Sequence, residues 1–259
     1  MTSNNTTLGG YNLKNRVAIV TGASSGIGFA IAEALYQAGA SIVIADLEEA
    51  VIEKAASRLN DHERVRTFHG NLADEENAKQ LVETATRAFG KLDILVNNAG
   101  GGVILPFLEH TAETLRQTLD RNLWTTLWCN KAALPVMKEQ QYGRIIHIGA
   151  DSVRNGLWDH SAYNAAKGGV HGLTTGLARE FATDGIPVNT VATCAVRTEI
   201  YDRILATQPD LIDKFVSIIP MGRAGECEEV ASMVCYLASD QAAFVTGQVI
   251  SVNGGSTML

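Results

Sequence analysis

A chain of 259 residues with 46% hydrophobic content is long enough for one large α/β domain or two small ones, and can bury a sizeable core. With 19% charged residues, a formal net charge of −7 and no Lys/Arg cluster, it is not expected to bind nucleic acid. Residues 1–13 are polar with no signal-peptide core, no run approaches the roughly 20 apolar residues of a membrane span, and Cys129, Cys194, Cys227 and Cys235 lack metal-ligand spacing, so the expectation is a cytoplasmic protein with reduced thiols, no metal and no membrane partner.

The first element is an apolar strand over 16–21. It runs into Thr21-Gly22-Ala23-Ser24-Ser25-Gly26-Ile27-Gly28, which opens a helix over 26–38. Gly22 permits a tight turn, Gly26 lets the backbone approach a phosphate at the helix N-terminus, and Gly28 allows close helix–strand packing. Ser24, Ser25 and Ile27 complete that turn, which reads as a dinucleotide cradle. The second strand, over 41–46, ends on Asp46. An acidic residue about 20 positions beyond such a turn accepts hydrogen bonds from the adenosine ribose and repels a 2′-phosphate, so NAD is favoured over NADP. A helix over 48–59, a strand over 65–70 and a helix over 74–89 follow. The strand over 92–97 leads into Asn97-Asn98-Ala99-Gly100 and then Gly101-Gly102, where polar side chains and glycines support backbone beneath a cofactor. A long helix is expected over 111–138, a strand over 144–148, a helix over 161–182, a strand over 187–192, a helix over 226–239 and a final strand over 248–252. Strand–helix alternation implies an α/β fold: one Rossmann-type doubly wound domain with a parallel sheet and helices on both faces, spanning 1–259. The stretch 197–226 lacks strand signal and is expected to be a mobile lid.

Tyr163 and Lys167 lie four residues apart at the start of the helix over 161–182, so phenol and ammonium share one helix face. Hydride transfer at an alcohol carbon needs a base for the hydroxyl proton. A phenol, with its ordinary pKa near 10, is a poor base at neutral pH unless positive charge stands beside it. Lys167 supplies such a charge.

In these residues the chain resembles the short-chain dehydrogenase/reductases. The resemblance covers essentially the whole chain: Thr21-Gly22-x-x-x-Gly26-x-Gly28, Asn97-Asn98-Ala99-Gly100, Asn122, Tyr163-x-x-x-Lys167, and Thr246-Gly247 with Asn253-Gly254-Gly255. It implies a seven-stranded sheet and a homotetramer assembled through the helix after Asn122 and the helix bearing Tyr163. It implies that Lys167 also binds the nicotinamide ribose and that Asn122 holds a water linking Lys167 to solvent. Asn98, Ala99, Gly100, Tyr163 and Lys167 would line the nicotinamide ribose side. Two positions depart from the pattern. Thr193-Cys194 stands where Pro-Gly is usual, though Val196 and Thr198 keep the spacing of residues that hold the carboxamide. Asn71, followed by Leu72, stands where an Asp usually faces the adenine. A serine is expected thirteen residues before the tyrosine, but that position is Ala150 and the nearest hydroxyl is Ser152. Either Ser152 reaches the reacting oxygen or a water does.

The substrate is expected to be a small molecule held by segments 153–160, 101–106 and 197–219. These offer Leu157, Trp158, Val103, Ile104 and Ile218 as apolar wall, with Arg154, Arg197 and Arg203 as cations or as solvated surface residues. Within the family, the stretch before Tyr163 and Leu123-Trp124-x-x-Leu127-Trp128 are similar to the cis-dihydrodiol dehydrogenases of aromatic carboxylate breakdown. That likeness implies oxidation of a dihydroxycyclohexadiene carboxylate to a catechol. The alternatives are a 3-oxoacyl or other ketone reductase, which Asp46 disfavours where NADPH is needed, and a non-catalytic dinucleotide-binding regulator, which would typically lack Tyr163 or Lys167.

Overall fold

The computed structural model describes residues 10–258, so the polar stretch at residues 1–9 lies outside the described residues. Seven parallel strands form one sheet: β1 (Val17–Thr21), β2 (Ser41–Asp46), β3 (Val65–His69), β4 (Ile94–Asn97), β5 (Arg144–Ala150), β6 (Val188–Thr193) and β9 (Val249–Val252), in the order β3-β2-β1-β4-β5-β6-β9. The near-continuous apolar runs follow from burial on both faces. Alternate residues of β2 serve opposite layers: Ile42 and Ile44 enter one core with Ile31, Leu35 and Val230, while Val43 and Ala45 enter the other with Leu81, Ala85 and Met137. The helices concerned are α1 (Gly26–Gln37) and α10 (Cys227–Ala238) on the first face, and α3 (Glu75–Phe89) and α5 (Thr125–Gln140) on the second. β1 lies between β2 and β4, so the strand order reverses there and opens a crevice at the strands' carboxyl ends.

The structure departs from the sequence reading in two regions. The long helix expected over 111–138 is three pieces: α4 (Ala112–Leu119), a π-helical turn (Asp120–Trp124) and α5. The extra residue in a π turn re-aims one side chain, here buried Asn122. The stretch 197–226 is helical: α8 (Glu199–Thr207), with Thr198 Oγ1 accepting from Tyr201 N at 3.2 Å as its cap, and α9 (Pro209–Val216), with proline at its first turn. A two-residue parallel ladder between β7 (Val196–Arg197) and β8 (Gly225–Glu226) pins the ends of this excursion together. A one-turn helix, α6 (Ser152–Asn155), also precedes α7 (Ser161–Glu180), the helix of Tyr163 and Lys167. The remaining boundaries differ by one or two residues, as helix and strand ends do.

All four cysteines are free thiols. Among the described residues no group of His, Cys, Asp or Glu is arranged for a metal, and no helix is long and apolar enough to cross a membrane.

Candidate active site

The glycine turn after β1 is held from both sides. Gly22 and Gly26 have φ of +61° and +52°, a region that favours glycine. A Cβ on Gly28 would run into the Gly22 carbonyl oxygen, and one on Gly22 would stand 2.8 Å from Ala99 Cα. Asn98 Nδ2 donates to the carbonyls of Thr21 and Gly22, both at 2.9 Å, and Thr21 Oγ1 accepts from the backbone N–H groups of Asn98 and Ala99. Asn98 therefore acts through the turn that it fixes. Asp46 closes the other side: its Oδ2 accepts from Ser24 N at 3.2 Å and Ser24 Oγ at 2.5 Å, and its Oδ1 from Leu47 N at 2.8 Å.

Between these groups lies a cavity of about 340 Å³. Gly22, Ser24, Ser25 and Asp46 line it together with the adjacent Asn98, Ala99 and Gly100, and Asn71 and Leu72 complete the wall. Gly26, Ile27 and Gly28 sit behind this wall as the first turn of α1. A carboxylate beside a glycine turn at a helix N-terminus, with no room for side chains on Gly22 or Gly28, fits a dinucleotide. Leu47, Gly70, Arg121 and Thr125 also line the cavity. The sequence reading did not include them, because no motif marks lining residues of this kind.

A second cavity of about 340 Å³ begins where the first ends, since Gly100 borders one while Gly101 and Gly102 border the other. Tyr163, Ser152, Val196 and Thr198 line it. Lys167 lies behind Tyr163, only 3% exposed, its Nζ donating to the Ile148 carbonyl at 2.8 Å and standing 5.9 Å from the Tyr163 ring centroid. Burial pushes the Tyr163 phenol up to about 12 and pulls the Lys167 ammonium down to about 8. The protein alone thus keeps Tyr163 neutral, opposite to the shift a base needs, and added positive charge is required to favour phenolate.

Asn122 holds the junction of the two cavities. Its Nδ2 donates to the Gly101 carbonyl at 2.7 Å and the Thr118 carbonyl at 2.8 Å, and its Oδ1 accepts from Gly101 N at 3.2 Å. The side-chain amide is thus taken up by the backbone of Gly101 and Thr118. A Cβ on Gly100 would stand 2.7 Å from Asn122 Oδ1 and 3.2 Å from Lys167 Nζ, so these three residues meet at one point. Asn97 is buried with neither amide atom hydrogen-bonded among the described residues.

Ser152 and Ala150 both border the second cavity. Ser152 Oγ donates to Asn164 Oδ1 at 2.6 Å, an amide one residue beyond Tyr163. If Ser152 polarises the reacting oxygen, Ser152→Ala lowers kcat by roughly 10²–10³-fold with little change in KM, as expected for a donor whose bond strengthens only as charge develops. Steady-state kinetics check this, and a variant indistinguishable from the parent leaves the serine a bystander.

None of the three arginines, read either as wall cations or as surface residues, faces the cavity. Arg154 donates from Nη1 to Ser251 Oγ at 2.9 Å and from Nη2 to the Val249 carbonyl at 2.8 Å, binding α6 to β9. Arg197 pairs with Asp202 at 3.1 Å on the surface, and Arg203 donates to the Glu199 carbonyl within its own helix. Trp158 is half exposed beneath the Lys214 ammonium, and neither it nor Val103 borders the cavity. Ile104, Leu157 and Ile218 do border it. They are joined by Ile200, Tyr201, Ile204, Ile212 and Phe215, from helices that the sequence reading left as an irregular stretch.

The chain is similar to known proteins over nearly its whole length. A family model described as enoyl-(acyl carrier protein) reductase matches residues 22–257. A 2,3-dihydroxy-2,3-dihydro-p-cumate dehydrogenase of Pseudomonas putida is 59% identical over 249 residues, covering 95% of this chain and 96% of that protein. A 3alpha-hydroxysteroid dehydrogenase of Mediterraneibacter gnavus is 34% identical over 247 residues, covering 94% of this chain and 98% of that protein. The crystal structure of gox2181 superposes with a TM-score of 0.89 at 35% identity, covering 95% of this chain and 96% of that one.

Proposed function

This chain belongs to the short-chain dehydrogenase/reductases and is an oxidoreductase, and from that premise we propose that it uses NAD to oxidise a cis-dihydrodiol of an aromatic carboxylate, of the p-cumate type, to the catechol. The observation that carries the reading is the 59% identity over 95% of the chain to an enzyme named for that substrate. The apolar cavity with Tyr163 in its wall supports it.

Bound NAD supplies the hydride acceptor. Tyr163 takes the proton from the reacting hydroxyl, and the Lys167 ammonium favours the phenolate while binding the nicotinamide ribose. Asn122 fixes the Gly101 turn between the cavities, and Val196 and Thr198, in the wall of the second cavity, would hold the carboxamide end of the cofactor. Apolar walls from α8 and α9 exclude water, and 197–226 acts as the lid of one catalytic domain. Incubation with the dihydrodiol and NAD is expected to yield NADH and catechol together. A 3-oxoacyl thioester turned over with NADPH in its place sinks the reading.

Asp46 carries the cofactor preference. The expected kcat/KM for NAD is at least about tenfold above that for NADP, and Asp46→Ala narrows the gap by removing repulsion of a 2′-phosphate. A parent enzyme that prefers NADP overturns the role given to Asp46.

We further propose a cytoplasmic homotetramer, in keeping with the free thiols and with Trp124, 42% exposed and stacked on Trp128 at 5.5 Å at the start of α5.

A further inference from the structure

A carboxylate-bearing substrate needs a cationic partner in the second cavity, because a carboxylate taken out of water unpaired is costly. The arginines are turned away from it, as described above. Asp151 is the carboxylate that borders the cavity. It is fully buried and accepts from Asn253 Nδ2 at 2.8 Å, Ser251 Oγ at 3.4 Å and Ser256 Oγ, so it adds negative charge and offers no donor. Among the described residues no Lys or Arg borders the cavity, and the one side chain there able to carry positive charge is His160.

His160 is built into the wall. It immediately precedes α7, three residues before Tyr163, with its ring edge-on to Tyr163 at 5.9 Å and 82° and to Phe215 of α9 at 6.1 Å and 87°. Its Nδ1 lies 2.5 Å from the Trp158 carbonyl, which only accepts, so Nδ1 carries the proton. Nε2 makes no hydrogen bond among the described residues. Nε2 is therefore free to meet a carboxylate across a shared proton while Nδ1 stays anchored, and the N-terminus of α7, which begins at the next residue, adds favourable potential for an anion. In a 2,3-dihydrodiol with its carboxylate on the ring carbon next to an oxidised carbon, acid and reacting hydroxyl are immediate neighbours. A cation one ring-contact away from Tyr163 is therefore placed for the acid when Tyr163 holds the hydroxyl.

We propose that His160 is the carboxylate-recognition residue of the substrate cavity, selecting anionic ring diols over neutral ones. This rests on the dihydrodiol reading for the identity of the substrate. His160 acts on binding and takes no part in proton transfer from the hydroxyl.

The test compares the parent enzyme with His160→Gln, which keeps a polar side chain and removes the charge. Three probes are used: the p-cumate dihydrodiol, the cis-dihydrodiol of isopropylbenzene lacking the carboxylate, and benzoate binding to the enzyme–NADH complex followed by calorimetry. His160→Gln is expected to raise KM for the carboxylate diol and Kd for benzoate by roughly 10–100-fold, the range for a hydrogen bond to a charged group. The kcat for that diol and the kcat/KM for the neutral diol stay near parent values. Equal losses on both diols make His160 a wall or positioning residue and overturn the proposal, as does unchanged benzoate affinity. If the parent oxidises neither diol while benzoate binding still depends on His160, the dihydrodiol reading fails and the carboxylate site stands.

Discussion

Tyr163→Phe lowers kcat by roughly 10²–10⁴-fold, the contribution of a positioned acid–base group, and leaves NADH affinity within a few-fold of the parent. The split follows from what the hydroxyl does in the fold. It makes no hydrogen bond to the described residues, so its removal orphans no buried partner. The ring keeps its edge-on contact with His160 and its close approach to Gly102, where a Cβ would stand 2.9 Å from Tyr163 Cδ2. Only the hydroxyl, the proposed proton acceptor, is lost. Burial drives this phenol up to about 12 in the protein alone, so positive charge beyond that of the empty fold is needed before it ionises at neutral pH. Stopped-flow measurement of NADH binding beside steady-state turnover separates the two effects. Retention of more than about a tenth of parent kcat assigns the proton to another group.

The parts of this site that were legible in sequence are those built from local spacing. The glycine turn, Asp46 at the end of the next strand, and Tyr163 one helical turn from Lys167 each need only a strand, a helix and a count of residues. The place of Arg154 is not legible in sequence because its partners, Val249 and Ser251, lie 95 and 97 positions away. Its sequence neighbours suggested a substrate wall, and only the β5–β6–β9 pairing shows the last strand passing within its reach. The break at Asn122 was invisible because a π turn costs one residue of register without a Gly or Pro to announce it, and Pro135 stands inside the helix rather than ending it. α8 and α9 carry amphipathic patterns too short to separate from an irregular stretch, yet they supply Tyr201, Ile212 and Phe215 to the cavity. His160 has no motif at all. Its significance comes from which cations are absent beside it, and that is a property of the assembled cavity.

Lys167→Met is expected to reduce kcat by roughly 10²–10⁴-fold and to weaken NAD binding by roughly 10–100-fold, the value of hydrogen bonds from a charged donor. Methionine is chosen because it nearly preserves the stem volume at a position only 3% exposed, so packing loss stays small. The change leaves the Ile148 carbonyl without its 2.8 Å donor and removes the ammonium beside Tyr163. The pH dependence then reports what the charge was for. Burial pulls Lys167 down to about 8, so the parent carries the ammonium fully only below that value and loses it as pH rises through it. Tyr163, held near 12 by burial, ionises in the neutral range only while positive charge offsets that burial. The variant lacks that charge at every pH, so its residual oxidation rate keeps climbing at alkaline pH, where the parent declines as it loses its ammonium above about 8. A variant whose kcat profile keeps the parent's inflection shows that the lysine does not tune the phenol. A variant that loses turnover while binding NAD normally confines Lys167 to the proton step and assigns the ribose to other groups.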